Sequence, residues 1–423
     1  MYRAWQGLHT TEVCSVKIKP RNYEWGIKVL KEIVAIPTVN PPGENYKDFA
    51  YYSREVLNSM GFKTEVITVP GEYVSKYYPE YASHARYVVL GRIGEGKPIV
   101  HFNGHYDVVP AGSGWTTKPF EPVVVNEKIY GRGTNDMKGG IASFLTAVKN
   151  FLEVNKEFKG TIEVALVPDE EIGRYTGTGY VVEELKLRPD YVIIGEPSGT
   201  STIWIGHKGA FWVLVEIYGK QVHGSTPWLG INAFEYMVKV ADRILKEYKP
   251  VVEARISKYE YDDPRGARPT VNIGGEVRGS VKVNVVPGYY AFSIDRRVVP
   301  EEKLEDVERE FLDFMERVKR DYPEVRINVV VINRLPPAIT DPSSQLVLLA
   351  KEAAREAIGV EPKTTVCLGG LDMRFYTEKN IQAITYGPGL IANAHVPDEY
   401  LPLDEFKKMS EVYHLLLEKL LKK

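Results

Sequence analysis

Ile162-Glu163-Val164-Ala165-Leu166-Val167, followed at once by Pro168-Asp169-Glu170-Glu171-Ile172-Gly173, decides the reading of the fold. A nearly continuous apolar run of this length suits a strand buried on both faces, as in a sheet covered by helices. Its abrupt end in acidic residues framed by Pro and Gly marks a loop at the strand's carboxyl end. Working outward, β-branched runs at 86–93, 98–102, 191–194 and 202–205 read as further strands. Patterns of helical period occupy 25–35, 49–60 and 140–151. Alternation of strand and helix predicts an α/β sheet, mixed and largely parallel, flanked by helices. Between 207 and 335 the grammar changes. Strand 210–218, helix 233–248, strands 270–276 and 289–298, helix 302–320 and strand 325–333 follow in the order β-α-β-β-α-β, the ferredoxin-like split motif. Helix 344–357, strand 382–385 and tail helix 403–421 then return to α/β patterning. The expected organisation is a discontinuous domain of residues 1–206 and 336–423 carrying an inserted domain of residues 207–335.

Composition narrows the function classes. The 423 residues are 44% apolar and 26% charged, as in ordinary globular proteins. A formal net charge of −2 supplies no positive field for nucleic acid or acidic lipid. No run approaches the roughly 20 apolar residues that span a bilayer. The first ten residues lack the apolar block of a signal peptide. Only two cysteines occur, Cys14 and Cys367, and neither sits in a C-x-x-C pair, so no disulfide framework is expected. These features lead us to expect a cytoplasmic protein without membrane or nucleic-acid partners, with Cys367 packing as a small apolar residue.

Familiar nucleophile-elbow, H-E-x-x-H and phosphate-loop motifs are absent. Gly131-Arg-Gly133 begins like a dinucleotide fingerprint, but Asp136 takes the place of the third glycine and would repel a pyrophosphate. What remains is a set of His and carboxylate residues, several just beyond expected strands: His105 and Asp107, Asp136, Glu170 and Glu171, Glu196, and His395. Loops at the carboxyl ends of strands in an open α/β sheet converge on one crevice, so these distant segments can meet. Two imidazoles with three carboxylates suit two borderline divalent ions such as Zn²⁺. One carboxylate can bridge ions about 3.5–4 Å apart, with a water between them. His105 and His395 are assigned one ion each, Asp136 the bridge, and Glu171 and Glu196 one terminal carboxylate each. Asp107, two residues after His105, can orient its ring. Glu170 and Glu171 are neighbours that would point opposite ways on an extended backbone, one toward a metal and one toward the water, which makes Glu170 the general base.

These five segments, in this order, resemble the two-zinc metallopeptidase and deacylase family of aminoacylase, carnosinase, glutamate carboxypeptidase, acetylornithine deacetylase and succinyl-diaminopimelate desuccinylase. The resemblance implies the same ligands, Asp107 as metal-site modulator and Glu170 as base. It implies two divalent ions per protomer, zinc first and cobalt as the alternative, and a homodimer formed through the inserted lid. It further implies that His223, in Val222-His-Gly-Ser-Thr-Pro227, reaches a neighbouring protomer's site to polarise the scissile carbonyl. Asn284 and Arg297 resemble substrate-carboxylate binders, and Gly369-Gly370 the glycine-rich substrate loop. The long stretches 130–140 and 195–198 look most like the acetylornithine deacetylase and desuccinylase branch. The implied activity is removal of an acetyl or succinyl group from an N-acyl amino acid by a metal-bridging water that Glu170 activates. The loop Gly369-Gly-Leu-Asp372 lacks the hydroxyls of the desuccinylase Gly-Gly-Thr-Ser-Asp, and Pro397-Asp-Glu399 replaces its Asn-Glu pair. A metallo-carboxypeptidase or dipeptidase acting on short peptides therefore stands as the alternative.

Overall fold

The structure is a computed structural model that describes residues 22–280 and 282–421. His9, Cys14 and the opening ten residues lie outside them. A nine-stranded mixed sheet runs Lys63–Thr68, Tyr87–Glu95, Gly160–Val167, Ile99–His105, Tyr191–Ile194, Gln382–Thr385, Thr202–His207 and Ala338–Ile339, with Lys363–Cys367 paired to Thr202–His207 as a branch. Every residue of Gly160–Val167 is buried, as an apolar central strand requires. Even its Glu163 is inside, paired with His101 at 2.6 Å and with Arg92.

Three parallel pairings in this sheet create the site. Ile99–His105 runs parallel to Gly160–Val167 on one side and to Tyr191–Ile194 on the other, and Gln382–Thr385 runs parallel to Tyr191–Ile194. The carboxyl ends of all four strands therefore leave the sheet at one edge, carrying His105, Glu170 and Glu171, Glu196, and the chain toward His395. Helices Tyr23–Val34, Lys138–Val154 and Leu403–Leu421 pack together, with Leu30, Phe144, Phe406 and Leu416 fully buried. Each such side chain stabilises the fold by roughly 1.5–3 kcal/mol. Cys367 lies in a second apolar cluster with Trp204 and Leu371.

Residues Gly209 to Leu335 form a separate antiparallel sheet in the order Thr270–Arg278, Tyr289–Val298, Gly209–Tyr218, Arg326–Leu335. Helices Ala233–Arg243 and Leu304–Asp321 complete a ferredoxin-like arrangement with its own apolar core around Phe211, Val215, Phe311 and Phe314.

Some elements differ from the sequence reading. The edge strand Lys63–Thr68 was not anticipated, because K-T-E-V-I-T is half polar and only partly covered. Strand Lys363–Cys367, helix Gly71–Tyr77 and the small sheet of Val123–Val125, Lys128–Tyr130 and Tyr400–Pro402 also escaped it. The helix expected to begin at 140 begins at Lys138, so Gly139 and Gly140 lie inside it. A Cβ on Gly140 would stand 1.9 Å from the carbonyl oxygen of Gly195. That glycine serves a close approach of helix to strand end.

Candidate metal centre

Asp136 lies between the two imidazoles. Its Oδ1 is 3.1 Å from Nε2 of His105 and its Oδ2 is 3.3 Å from Nε2 of His395. Glu196 Oε1 stands 3.4 Å from His105 Nε2, and Glu171 Oε1 stands 3.1 Å from His395 Nε2. Two half-sites, each one imidazole and one terminal carboxylate, thus share one central carboxylate. His105 is buried, whereas the His395 side chain is 49% exposed, so the cluster opens toward solvent on the His395 side.

Asp107 fixes this arrangement. Its backbone oxygen lies 3.0 Å and its Oδ1 3.4 Å from His105 Nδ1, which leaves Nε2 facing Asp136. The same carboxylate accepts the backbone N–H groups of Glu170 and Glu171, each at 3.1 Å, and the Asn40 amide at 2.8 Å. One side chain thus orients an imidazole and anchors the acidic turn.

That turn corrects the sequence reading. Glu170 to Ile172 form a 3₁₀ turn rather than an extended stretch, entered through Asp169 in left-handed conformation with φ 63°. The two carboxylates still part company. Glu171 turns to His395, while Glu170 Oε1 accepts Arg174 Nε at 2.6 Å and Arg174 Nη2. Asp169 faces inward, accepting Arg86 at 2.7 Å, Tyr46 at 3.0 Å and Asn40 at 3.1 Å.

The electrostatics follow from crowding acids and imidazoles in a buried place. Burial opposes charge on His105, but Glu196, Asp107 and Asp136 around it outweigh burial and hold its pKa well above the usual imidazole range. Hydrogen bonds to Asp136 and then Glu171 push His395 up to about 11. Burial raises Glu171 to about 7 against the pull of His395, and lifts Glu196 well above the carboxylate range. Burial would also raise Asp136, yet its two imidazole partners bring it below that range. Concentrated charge of this kind, bearing nitrogen and oxygen donors, suits a divalent cation.

The donor geometry fits. Ligand atoms of His105, Asp136 and Glu171 all lie within 4.8 Å of one another, as do those of His105, Glu170 and Glu196. A cavity of about 800 Å³ is lined by Pro197 and Ser198, directly after Glu196 in the chain, and by Trp204, Tyr261, Leu390 and Ile391 among others.

The remaining expected residues fall into two groups. Gly370 comes to the centre, since its carbonyl accepts Arg174 Nη2 at 2.9 Å; Gly369 beside it is exposed. His223 and Asn284 are brought to each other instead. Strands Val222–His223 and Val285–Val286 pair, and the Asn284 carbonyl accepts Gly224 N–H at 2.9 Å. The exposed ring of His223 interacts with Ser225 at 2.7 Å, and among the described residues no hydrogen bond or ion pair joins it to the metal-ligand cluster. Arg297 is half-buried, paired with Asp295 at 2.9 Å, while its neighbour Arg296 is buried against Glu302.

Sequence reasoning missed several residues that shape the centre. Glu399 accepts the backbone N–H groups of Gly133, Asn135 and Asp136, and burial pushes its pKa up to about 7. Asn40, Asp169, Arg174 and Asp372 were missed as well. Asp372 and Glu399 stood in motifs already compared with the desuccinylase pattern, and Arg174 carried a local signal, a cationic residue four positions after Glu170 in a glycine-framed turn.

The sequence model of Peptidase family M20/M25/M40 matches residues 101–419. The chain belongs to that family. It is therefore an M20 metallohydrolase acting on amide or peptide bonds. An uncharacterized metallohydrolase of Methanocaldococcus jannaschii is 27% identical over 93% of this chain and 99% of its own length. A succinyl-diaminopimelate desuccinylase of Sulfurovum sp. is 31% identical over 76% of this chain and 83% of its own length. Among solved structures, an M20 family metallo-carboxypeptidase from Sulfolobus solfataricus has a TM-score of 0.74 at 21% identity, covering 93% of this chain and 98% of that one. This M20 chain shares with that enzyme the fold.

Proposed function

We propose that the protein removes an acyl group, acetyl or succinyl, from an N-acyl amino acid. The observation that carries the reading is Asp136 spanning the two imidazoles, with Glu170 held beside them. The desuccinylase names of relatives sharing about three quarters of the chain support the substrate class.

In this reading His105, Asp136 and Glu196 would hold one divalent ion, and His395, Asp136 and Glu171 the other, zinc first with cobalt as the alternative. Such ions polarise a carbonyl oxygen and acidify water. Glu170 takes a proton from the attacking water, whose oxygen bonds to the acyl carbon. As the C–N bond breaks, Glu170 returns that proton to the departing amine nitrogen. General-base catalysis of this kind contributes roughly 10²–10⁴-fold. Asp107 keeps the His105 ring turned inward throughout.

The inserted 207–335 domain serves in this reading as a lid and dimerisation domain, carrying His223, Asn284 and Arg297 as oxyanion and carboxylate contacts. Its exposed Trp228, Leu229, Phe234 and Val238 offer apolar surface for such pairing. A peptidase reading rests on the Gly369–Asp372 loop, where Leu371 is buried and no hydroxyl is offered to a succinyl group.

Reconstituted protein assayed side by side on N-succinyl amino acids, N-acetyl amino acids and dipeptides tests the substrate class. Turnover of acyl amino acids is expected; turnover of peptides alone would overturn it. Glu170→Ala should abolish hydrolysis while elemental analysis still finds close to two ions per chain. Full activity of that variant would remove Glu170 from its role.

A further inference from the structure

Arg174 stands between two acids. Its Nε and Nη2 both donate to a single oxygen of Glu170, and Nη2 also donates to the Gly370 carbonyl. On the other side Asp372 Oδ1 is buried, has no hydrogen bond, and lies 3.6 Å from Arg174 Nε. A buried carboxylate oxygen left unpaired is costly, so the pull on Arg174 is shared.

Asp372 itself is held fast. Its Oδ2 accepts Thr178 Oγ1 at 2.6 Å, and that hydroxyl accepts the Asn103 amide at 2.9 Å. Asn103 also donates to Tyr376 Oη at 2.9 Å, which meets His101 Nε2 at 2.8 Å; His101 Nδ1 in turn meets Glu163 at 2.6 Å. This buried chain fixes one carboxylate behind the guanidinium.

We propose that Asp372 is a positioning residue for Glu170, acting through Arg174. The inference rests on Glu170 being the base. The fixed Asp372 carboxylate, 3.6 Å from Nε, holds the guanidinium from behind, so that Nε and Nη2 both present their N–H groups to one oxygen of Glu170 and set the direction of its carboxylate. A planar fork that can address two acceptors is required, which an ammonium cannot imitate.

The test is a double-mutant cycle on metal-reconstituted protein with Asp372→Asn, Arg174→Gln and both changes together. Asp372→Asn should lower kcat roughly tenfold or more, with KM changed less than about twofold, because the orientation of the base is lost rather than substrate binding. In the Arg174→Gln background the same change should have no further effect. Multiplicative losses in the double variant, or a raised KM with kcat intact, would overturn the proposal. Bound metal and melting temperature identify a variant that fails to fold. In that event Arg174→Lys, which leaves Asp372 in place, should lower kcat alone, and a wild-type kcat there would equally overturn it. Glu170→Ala separates the two readings: if it is inactive while the cycle is multiplicative, only this inference falls.

Discussion

Glu399 holds the peptide of Asp136: its Oε1 accepts the Asp136 N–H at 3.1 Å and those of Gly133 and Asn135 at 2.9 Å each. Its Oε2 accepts Arg132 at 2.5 Å. The turn presenting the central carboxylate is thus shaped by an acid that has no part in the ligand set. Glu399→Gln keeps the size but can set an amide N–H against those N–H groups. Metal affinity should fall roughly 10–100-fold, as for other groups that orient ligands. Competition against a chromophoric chelator measures this; an unchanged affinity would show that the turn holds its shape without the charge.

Arg86 and Asp169 form a fully buried pair at 2.7 Å, directly under the acidic turn. Arg86→Met removes the cation and leaves the carboxylate inside. The expected destabilisation is about 3–5 kcal/mol, because an uncompensated buried charge remains. Urea unfolding followed by far-UV circular dichroism gives the value. A loss below about 1 kcal/mol would mean that Tyr46, Asn40 and Thr176 suffice to hold Asp169.

Burial, reinforced by the nearby Arg174 and Arg374, lowers the pKa of His207 from 6.5 to about 3. The folded chain therefore keeps this imidazole neutral while the unfolded chain takes up a proton below about pH 6.5. Stability present above that pH is lost as pH falls, by about 2 kcal/mol at pH 5. Metal-free protein and its His207→Gln variant, unfolded at pH 7 and pH 5, should differ by that amount in the stability lost between the two pH values. Equal losses would place the acid sensitivity elsewhere.

Burial raises the Cys367 thiol to about 12. Only roughly one molecule in 10⁴ is thiolate at pH 8, and the thiolate is the reactive form. In a Cys14→Ser background, the native protein should resist an aromatic disulfide reagent that labels the denatured chain within minutes. Rapid stoichiometric labelling of the native form would contradict the burial.

Part of the candidate centre was legible because His105, Glu171 and Glu196 follow parallel strands. Ile162 to Val167 reads as a buried strand, and parallel neighbours point their carboxyl ends to the same edge of the sheet. His105, Glu171 and Glu196 could thus be placed together from three separate motifs. Asp169, Arg86, Asn40, Asp372 and Glu399 could not, since their partners lie tens to hundreds of positions away and no local period connects them. The 3₁₀ turn at Glu170 was missed for a related reason. Its shape comes from Asp107 accepting two backbone N–H groups across 63 and 64 residues of chain.

By itself the sequence determined the residue types and their order. Apolar periodicity set the two kinds of sheet, and the acid and imidazole inventory set the chemistry available at the strand ends. Tertiary structure alone decided that Asp136 reaches both imidazoles, that Glu399 shapes its turn, and that Arg174 lies between Glu170 and Asp372. Periodicity reports which face of an element avoids water, whereas hydrogen bonds of about 3 Å depend on where whole strands and loops come to rest.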